Sequence, residues 1–169
     1  MPESFTKNER LILANQYRIL ELIDEQEREA HKMAREILEN GYVKEYADLT
    51  LGLSPEFPPE QAEEVGEIFA MHADLRYNYD RLENKEGINL DLLRFWGFDG
   101  NNESTYHRYA GSLHGWRKWD HLPGIEVNSH APTLWRYRAM LAVWRTFPDR
   151  NALTRENIIA IINARPPGQ

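Results

Sequence analysis

The sequence predicts an all-α protein, a single compact multihelical domain of about seven to eight helices spanning residues 1–169, and three observations carry that class. Apolar residues recur at three- and four-residue spacing along most of the chain. No sustained alternating run bounded by hairpin turn signals interrupts them. Helix starts and stops recur at intervals: Thr6 with Glu9 and Asp24 with Glu27 as capping boxes, Pro58 and Pro59 before a long periodic stretch, Gly41 and Gly97 after others.

The first helix begins after Thr6 and runs to about Ile23. Leu11, Ile12, Leu13, Tyr17, Ile19, Leu20, Leu22 and Ile23 surround most of its circumference, a pattern that predicts burial in the fold or in a subunit contact. Asn15 and Gln16 fall between these apolar neighbours, where an unpaired amide costs about 1–3 kcal/mol, so both are read as needing partners. The second helix carries Ala30, Met33, Ala34, Ile37 and Leu38 on one stripe and stops at Asn40, with Gly41 available for the left-handed position. A short element follows from Val43 to Leu49.

Pro59 opens the longest helix, which reaches about Leu82 and has Glu60, Glu63, Glu64 and Glu67 near its positive end. Val65, Ile68, Phe69, His72, Leu75, Tyr79 and Leu82 share one arc, so His72 is read as a hydrogen-bonded core histidine. Asn89 caps a short helix that ends at Trp96 and Gly97. The next helix starts near Asn102, presents Tyr106, Tyr109, Ala110, Leu113 and Trp116 to the core, and ends at Leu122 to Gly124. Gly124 to Ser129 reads as loop. Pro132 restarts a helix through Leu134, Tyr137, Met140, Leu141 and Trp144, and Thr154 caps the last one, with residues 165–169 as a flexible tail.

Composition narrows the function classes. The chain has no cysteine, which excludes disulfides, a thiolate nucleophile and any zinc site using sulfur. The first ten residues contain no apolar signal region, and no later run approaches the roughly 18 apolar residues of a membrane span, so a soluble cytoplasmic protein with no membrane association is expected. A net charge of −7 argues against a general polyanion binder. The charge is unevenly spread: residues 1–95 hold 11 basic and 21 acidic side chains, residues 96–169 hold 9 and 6, and all five tryptophans fall in the second part. That asymmetry fits an acidic solvated surface beside an aromatic core, or head-to-tail or antiparallel pairing of two chains.

The stretch RLILANQY from Arg10 to Tyr17, followed by Gly41-Tyr42, Gly97-Phe98-Asp99, the tryptophan-bearing helix and the terminal Ile158 to Ala164, resembles the YfbU family, a largely uncharacterised bacterial family of cytoplasmic proteins. The resemblance spans roughly Arg10 to Ala164. It implies a compact multihelical fold and self-association, and no catalytic residue that transfers. Asn15, Gln16, Tyr17, Phe98, Asp99, Tyr137, Met140 and Trp144 belong to the pattern. Asn15, Gln16, Tyr17 and Asp99 are the structural or binding candidates. The segment Thr105 to Asp120 departs from the pattern.

Chemistry is weighed on that departing segment. His107, His114 and His121 recur every seven residues, about 10.5 Å apart along a helix, too far to share one metal. His121 and His130 with Asp120 or Glu126 match no recognised ligand spacing, so neither a metal nor a cofactor is expected. Ser112 lies near His114 without a nucleophile elbow. Arg108 and His114 resemble the RxxxxxH motif of HEPN ribonucleases, in which the pair assists attack by a ribose hydroxyl, and they are the catalytic candidates. On an unbroken helix they point about 120° apart. Arg108, Arg117, Lys118, Arg136, Arg138 and Arg145, interleaved with aromatics, are the residues a nucleic-acid surface would use, though no helix-turn-helix signal accompanies them. The reading that results is a non-enzymatic, self-associating domain acting through protein contacts, homo-oligomeric or with another protein. The alternatives are a nucleic-acid-binding protein and a HEPN-like metal-independent ribonuclease.

Overall fold

Residues 4–119 and 128–166 are described by a computed structural model. Seven α-helices carry this part of the chain: α1 (Lys7–Ile23), α2 (Arg28–Asn40), α3 (Tyr46–Thr50), α4 (Pro59–Arg81), α5 (Ser104–Gly115), α6 (Leu134–Trp144) and α7 (Arg155–Ile162). Single 3-10 turns lie at Val43–Glu45, Leu90–Leu93 and Arg150–Ala152. Among the described residues there is no β-strand, only an isolated parallel bridge between Phe98 and Asn128. The expected all-α class and helix number therefore hold. Contacts group the chain into two compact units, residues 1–56 and 57–169.

The first unit is built on a helical hairpin. Thr6 and Glu9 form the expected capping box at the start of α1, the Glu9 carboxylate accepting from the Thr6 backbone N–H at 2.7 Å. Side-chain contacts then run Arg18 to Glu39, Glu21 to Arg35 and Asp24 to His31, so the partner number falls as the α1 number rises and the two helices are antiparallel. Asp24 accepts from the Glu27 N–H at 3.2 Å, but its other oxygen is drawn to His31 Nε2, also at 3.2 Å. The helical run consequently begins at Arg28, and the expected second capping box is a turn clasped to α2 instead.

Gly41 ends α2 in the left-handed conformation at φ 69°, as expected. Arg10 reaches across from α1 to the last turn, donating to the Leu38 carbonyl at 3.2 Å. A Cβ on Gly41 would sit 2.5 Å from Arg10 Nη1, the movable end of a long side chain, so it is the left-handed backbone that favours glycine there. Few apolar side chains are buried in this unit: Ala14, Ala34, Ile37, Leu38 and Tyr46.

The second unit is organised around α4. Its buried face is Val65, Ile68, Phe69, Met71, His72, Leu75 and Asn78, and α5, α6 and α7 pack against it. The centre is aromatic: Phe69 meets Phe95 edge-on at 4.8 Å, and Phe95 stacks on Tyr137 at 5.5 Å between ring centroids. Asn78 sits in this apolar face with every polar atom engaged. Its amide donates to the Asp74 and Arg150 carbonyls, both at 2.8 Å, and its oxygen accepts from Leu153 N–H at 3.0 Å. The residue thereby ties α4 to the turn that leads into α7.

Helix α5 stops earlier than its periodicity suggests. Lys118 N–H bonds back to the Leu113 carbonyl at 3.2 Å and Arg117 N–H to that of His114 at 2.9 Å, with Arg117 left-handed at φ 58°. This is the hydrogen-bond pattern of a Schellman stop, with arginine where glycine is usual. Trp116 is therefore exposed, while Tyr106, Ala110 and Leu113 are buried. The expected continuation to Leu122, and the loop from 124 to 127, lie outside the described residues. Thr154 caps α7 in a reciprocal pair with Asn157. Ile158, Ile161 and Ile162 of α7 are buried in the second unit, as a nearly all-apolar helix requires.

Candidate functional site

Helix α1 did not find the same cover. Leu11, Ile12, Ile19, Leu22 and Ile23 are 57–76% exposed, and only Ala14 of the whole helix is fully buried. The side turned to α2 is polar and small: Arg10, Ala14, Tyr17, Glu21 and Asp24. Tyr17 is half-buried there, its ring 6.1 Å from that of His31. Asn15 and Gln16 lie on the opposite side and are exposed, so within the chain they are not the buried amides expected of them. The apolar arc on which they sit faces away from α2. Asn15 also lines a groove along the hairpin with Lys7, Arg10, Arg18 and Glu39.

Asp99 was the candidate in the second unit, and its place explains the Gly97-Phe98-Asp99 run. Gly97 has φ 85°, a turn open to glycine. Phe98 enters the aromatic centre fully buried. The Asp99 carboxylate, 2% exposed, accepts from the Asn102 side chain and from Asn101 N–H, and these two contacts hold it below the usual carboxylate range.

Glu103 closes the same turn from the other side. Its Oε2 accepts from Asp99 N–H at 2.9 Å, and its Oε1 from Thr133 N–H at 2.9 Å and Leu134 N–H at 2.7 Å. The Thr133 hydroxyl donates to the Gly97 carbonyl at 2.7 Å, and Tyr137 Oη accepts from Trp96 N–H at 2.9 Å. This polar knot is saturated by the protein's own groups, which suits it to holding the fold and leaves little for a ligand. Sequence reasoning missed Glu103, because the two helix-start donors it takes lie about thirty residues away.

His72 is the core histidine expected of it. It is 2% exposed, and its Nδ1 lies 2.9 Å from the Leu93 carbonyl, which can only accept, so Nδ1 carries the proton. Nε2 has no hydrogen-bond partner among the described residues, and the imidazole ring packs edge-to-face with the rings of Phe95 and Tyr137. Burial pushes its pKa down to about 4.

The glutamates that open α4 meet the arginines of α6. Arg138 forks onto Glu64 at 2.8 and 3.0 Å, Tyr106 donates to the same carboxylate at 2.7 Å, and Arg145 pairs with Glu67. The Arg138 contact, then that of Tyr106, lowers the Glu64 pKa against the effect of burial, whereas burial together with Glu64 pushes the Tyr106 hydroxyl up to about 12. Part of the charge asymmetry along the chain is thus neutralised inside the second unit.

The catalytic candidates do not converge. Arg108 and His114 are both exposed on α5, which runs unbroken from Ser104 to Gly115, so they project about 120° apart. His107 and His114 stand two turns apart on the same helix, and His121 lies outside the described residues. Among the described residues no group of three His, Asp or Glu side chains is placed to hold a metal ion. No helix of the described residues is long and apolar enough to cross a membrane.

The family model for the YfbU domain matches residues 3–164, nearly the whole chain and all seven helices. Each of the family-like segments has a structural place: RLILANQY is the centre of α1, Gly41 the stop of α2 beneath Arg10, Gly97-Phe98-Asp99 the turn locked by Glu103, and Ile158 to Ala164 the buried end of the second unit. The chain belongs to the YfbU family.

Proposed function

We propose that this protein is a non-enzymatic domain that self-associates and works through protein contacts, with the outer face of α1 as its contact surface. The observation that carries the reading is the set of five large aliphatic side chains on that face, each more than half exposed. Fully burying such a side chain is worth about 1.5–3 kcal/mol, so leaving five in water on one helix is costly unless something covers them. The first unit needs such cover, because a hairpin of this size buries too little apolar surface to be well stabilised alone.

The chemistry of the other candidates points the same way. The titratable groups buried in the second unit hold turns and helix ends, and Arg138 and Arg145 are already paired with carboxylates where a phosphate backbone would need them open. Residence in the bacterial cytoplasm belongs to this reading. Sedimentation velocity over a hundredfold range of concentration tests it: a reversible shift from monomer to dimer or larger species is expected, and a monomer throughout rejects self-association.

A further inference from the structure

We infer that two copies of the chain pair through antiparallel α1 helices, each lying between its own α2 and the α1 of the other copy, with the dyad at the level of Tyr17. The inference rests on the self-association proposed above and specifies its geometry. At 100° per residue, Leu11, Leu22, Asn15, Ile19, Ile12 and Ile23 fall within one arc of about 120°, and Gln16 borders it. The α2-facing residues Arg10, Ala14, Tyr17 and Glu21 lie on the other side of the helix, so α1 is left with one face to offer and a layered pairing follows.

The arrangement of that face is symmetric about its middle. Leu11 and Ile12 precede Tyr17 by six and five residues, and Leu22 and Ile23 follow it by five and six. An antiparallel partner therefore sets the Leu11–Ile12 pair of each copy against the Leu22–Ile23 pair of the other, closing both ends of the exposed arc in a twofold contact. At the dyad, Gln16 comes next to Gln16 of the second copy, while Asn15, two residues from the dyad, comes opposite Ile19. The Gln16 amide then meets its own copy, and a polar contact in an apolar seam fixes its register.

Charge selects the antiparallel sense. Exposed Lys7 stands in the first turn of α1, and Glu25, 87% exposed though 3.7 Å from Arg28 of its own chain, follows the C-cap Asp24 at the other end. Parallel helices would align like ends and like dipoles, whereas antiparallel ones set Lys7 near Glu25 of the other copy.

The natural chain has no cysteine, so single-cysteine variants report the geometry without background. Gln16→Cys, Asn8→Cys and Gln26→Cys would each be made at exposed positions and treated with a bismaleimide of about 10 Å span at a concentration where sedimentation shows association. The antiparallel pairing predicts a strong cross-linked dimer for Gln16→Cys, none above background for Asn8→Cys alone, whose copies stand about 27 Å apart along the axis, and recovery of the cross-link when Asn8→Cys is mixed with Gln26→Cys. A dimer that cross-links through Asn8→Cys alone is parallel, and a dimer that fails to cross-link through Gln16→Cys uses another face. Either result overturns this geometry and leaves self-association standing. A wild-type monomer at every concentration overturns both.

Discussion

Glu103 caps a helix that begins thirty residues after it: one carboxylate oxygen takes both the Thr133 N–H at 2.9 Å and the Leu134 N–H at 2.7 Å, the first donors of α6. Thr133 stands in the cap position and its own hydroxyl is turned to the Gly97 carbonyl, so the cap is supplied from outside the helix. A negative group at a helix start also meets the positive end of the dipole.

Glu103→Ala is expected to cost about 3 kcal/mol, since it strands the N–H groups of Asp99, Thr133 and Leu134 together. Chemical denaturation measures the loss, and hydrogen exchange at Thr133 and Leu134 locates it. A loss under about 1 kcal/mol with unchanged protection would show that the capping bonds are dispensable.

Asn78→Leu keeps the volume and removes the partners of the Arg150 carbonyl and the Leu153 N–H. Both then lie unpaired at the edge of an apolar core, at an expected cost of about 2–4 kcal/mol in urea unfolding. Full stability in the variant would mean that water reaches both groups.

His72 makes stability depend on pH in a calculable direction. Folded, it takes a second proton only below about pH 4; unfolded, it takes one near pH 6.5. Between these values the unfolded chain binds more protons, so stability is full above pH 6.5 and falls as the pH drops to 4, by about 3 kcal/mol from this residue. His72→Gln retains a donor for the Leu93 carbonyl and should flatten that slope. Parallel pH profiles of the two proteins would discard the assignment.

On α1, Ile19→Glu places a charge in the centre of the exposed arc. Folding of the single chain should change by no more than about 0.5 kcal/mol, as for other surface substitutions. Self-association should weaken by at least about 30-fold, the equivalent of roughly 2 kcal/mol. Sedimentation equilibrium and circular dichroism, run together, separate the two effects.

The parts legible in the sequence are those set by neighbours. Thr6 with Glu9, Gly41, Pro59 and Thr154 announce helix ends because the cap and its partner lie within four residues of each other. His72 was legible because a histidine on an apolar arc is easier to bury with one hydrogen bond than to expose. The fate of α1 was not, since periodicity reports how apolar a helix is and is silent on which face another element will reach. The stop of α5 was hidden because Arg117 occupies a left-handed position that sequence patterns assign to glycine. Glu103 was hidden for a different reason: no local rule connects it to residues 133 and 134.

The knot at Glu103 also bears on the chain that joins α5 to α6. It fastens the beginning of α5 to the beginning of α6, so the chain between them departs from and returns to a single pinned point. Once the two ends of an excursion are clamped, lengthening it costs only about 0.6 kcal/mol per doubling. Past the buried turns of α5 and Trp119, whose ring meets Phe69 edge-on at 5.4 Å, a longer connection should therefore leave the rest of the molecule as it is.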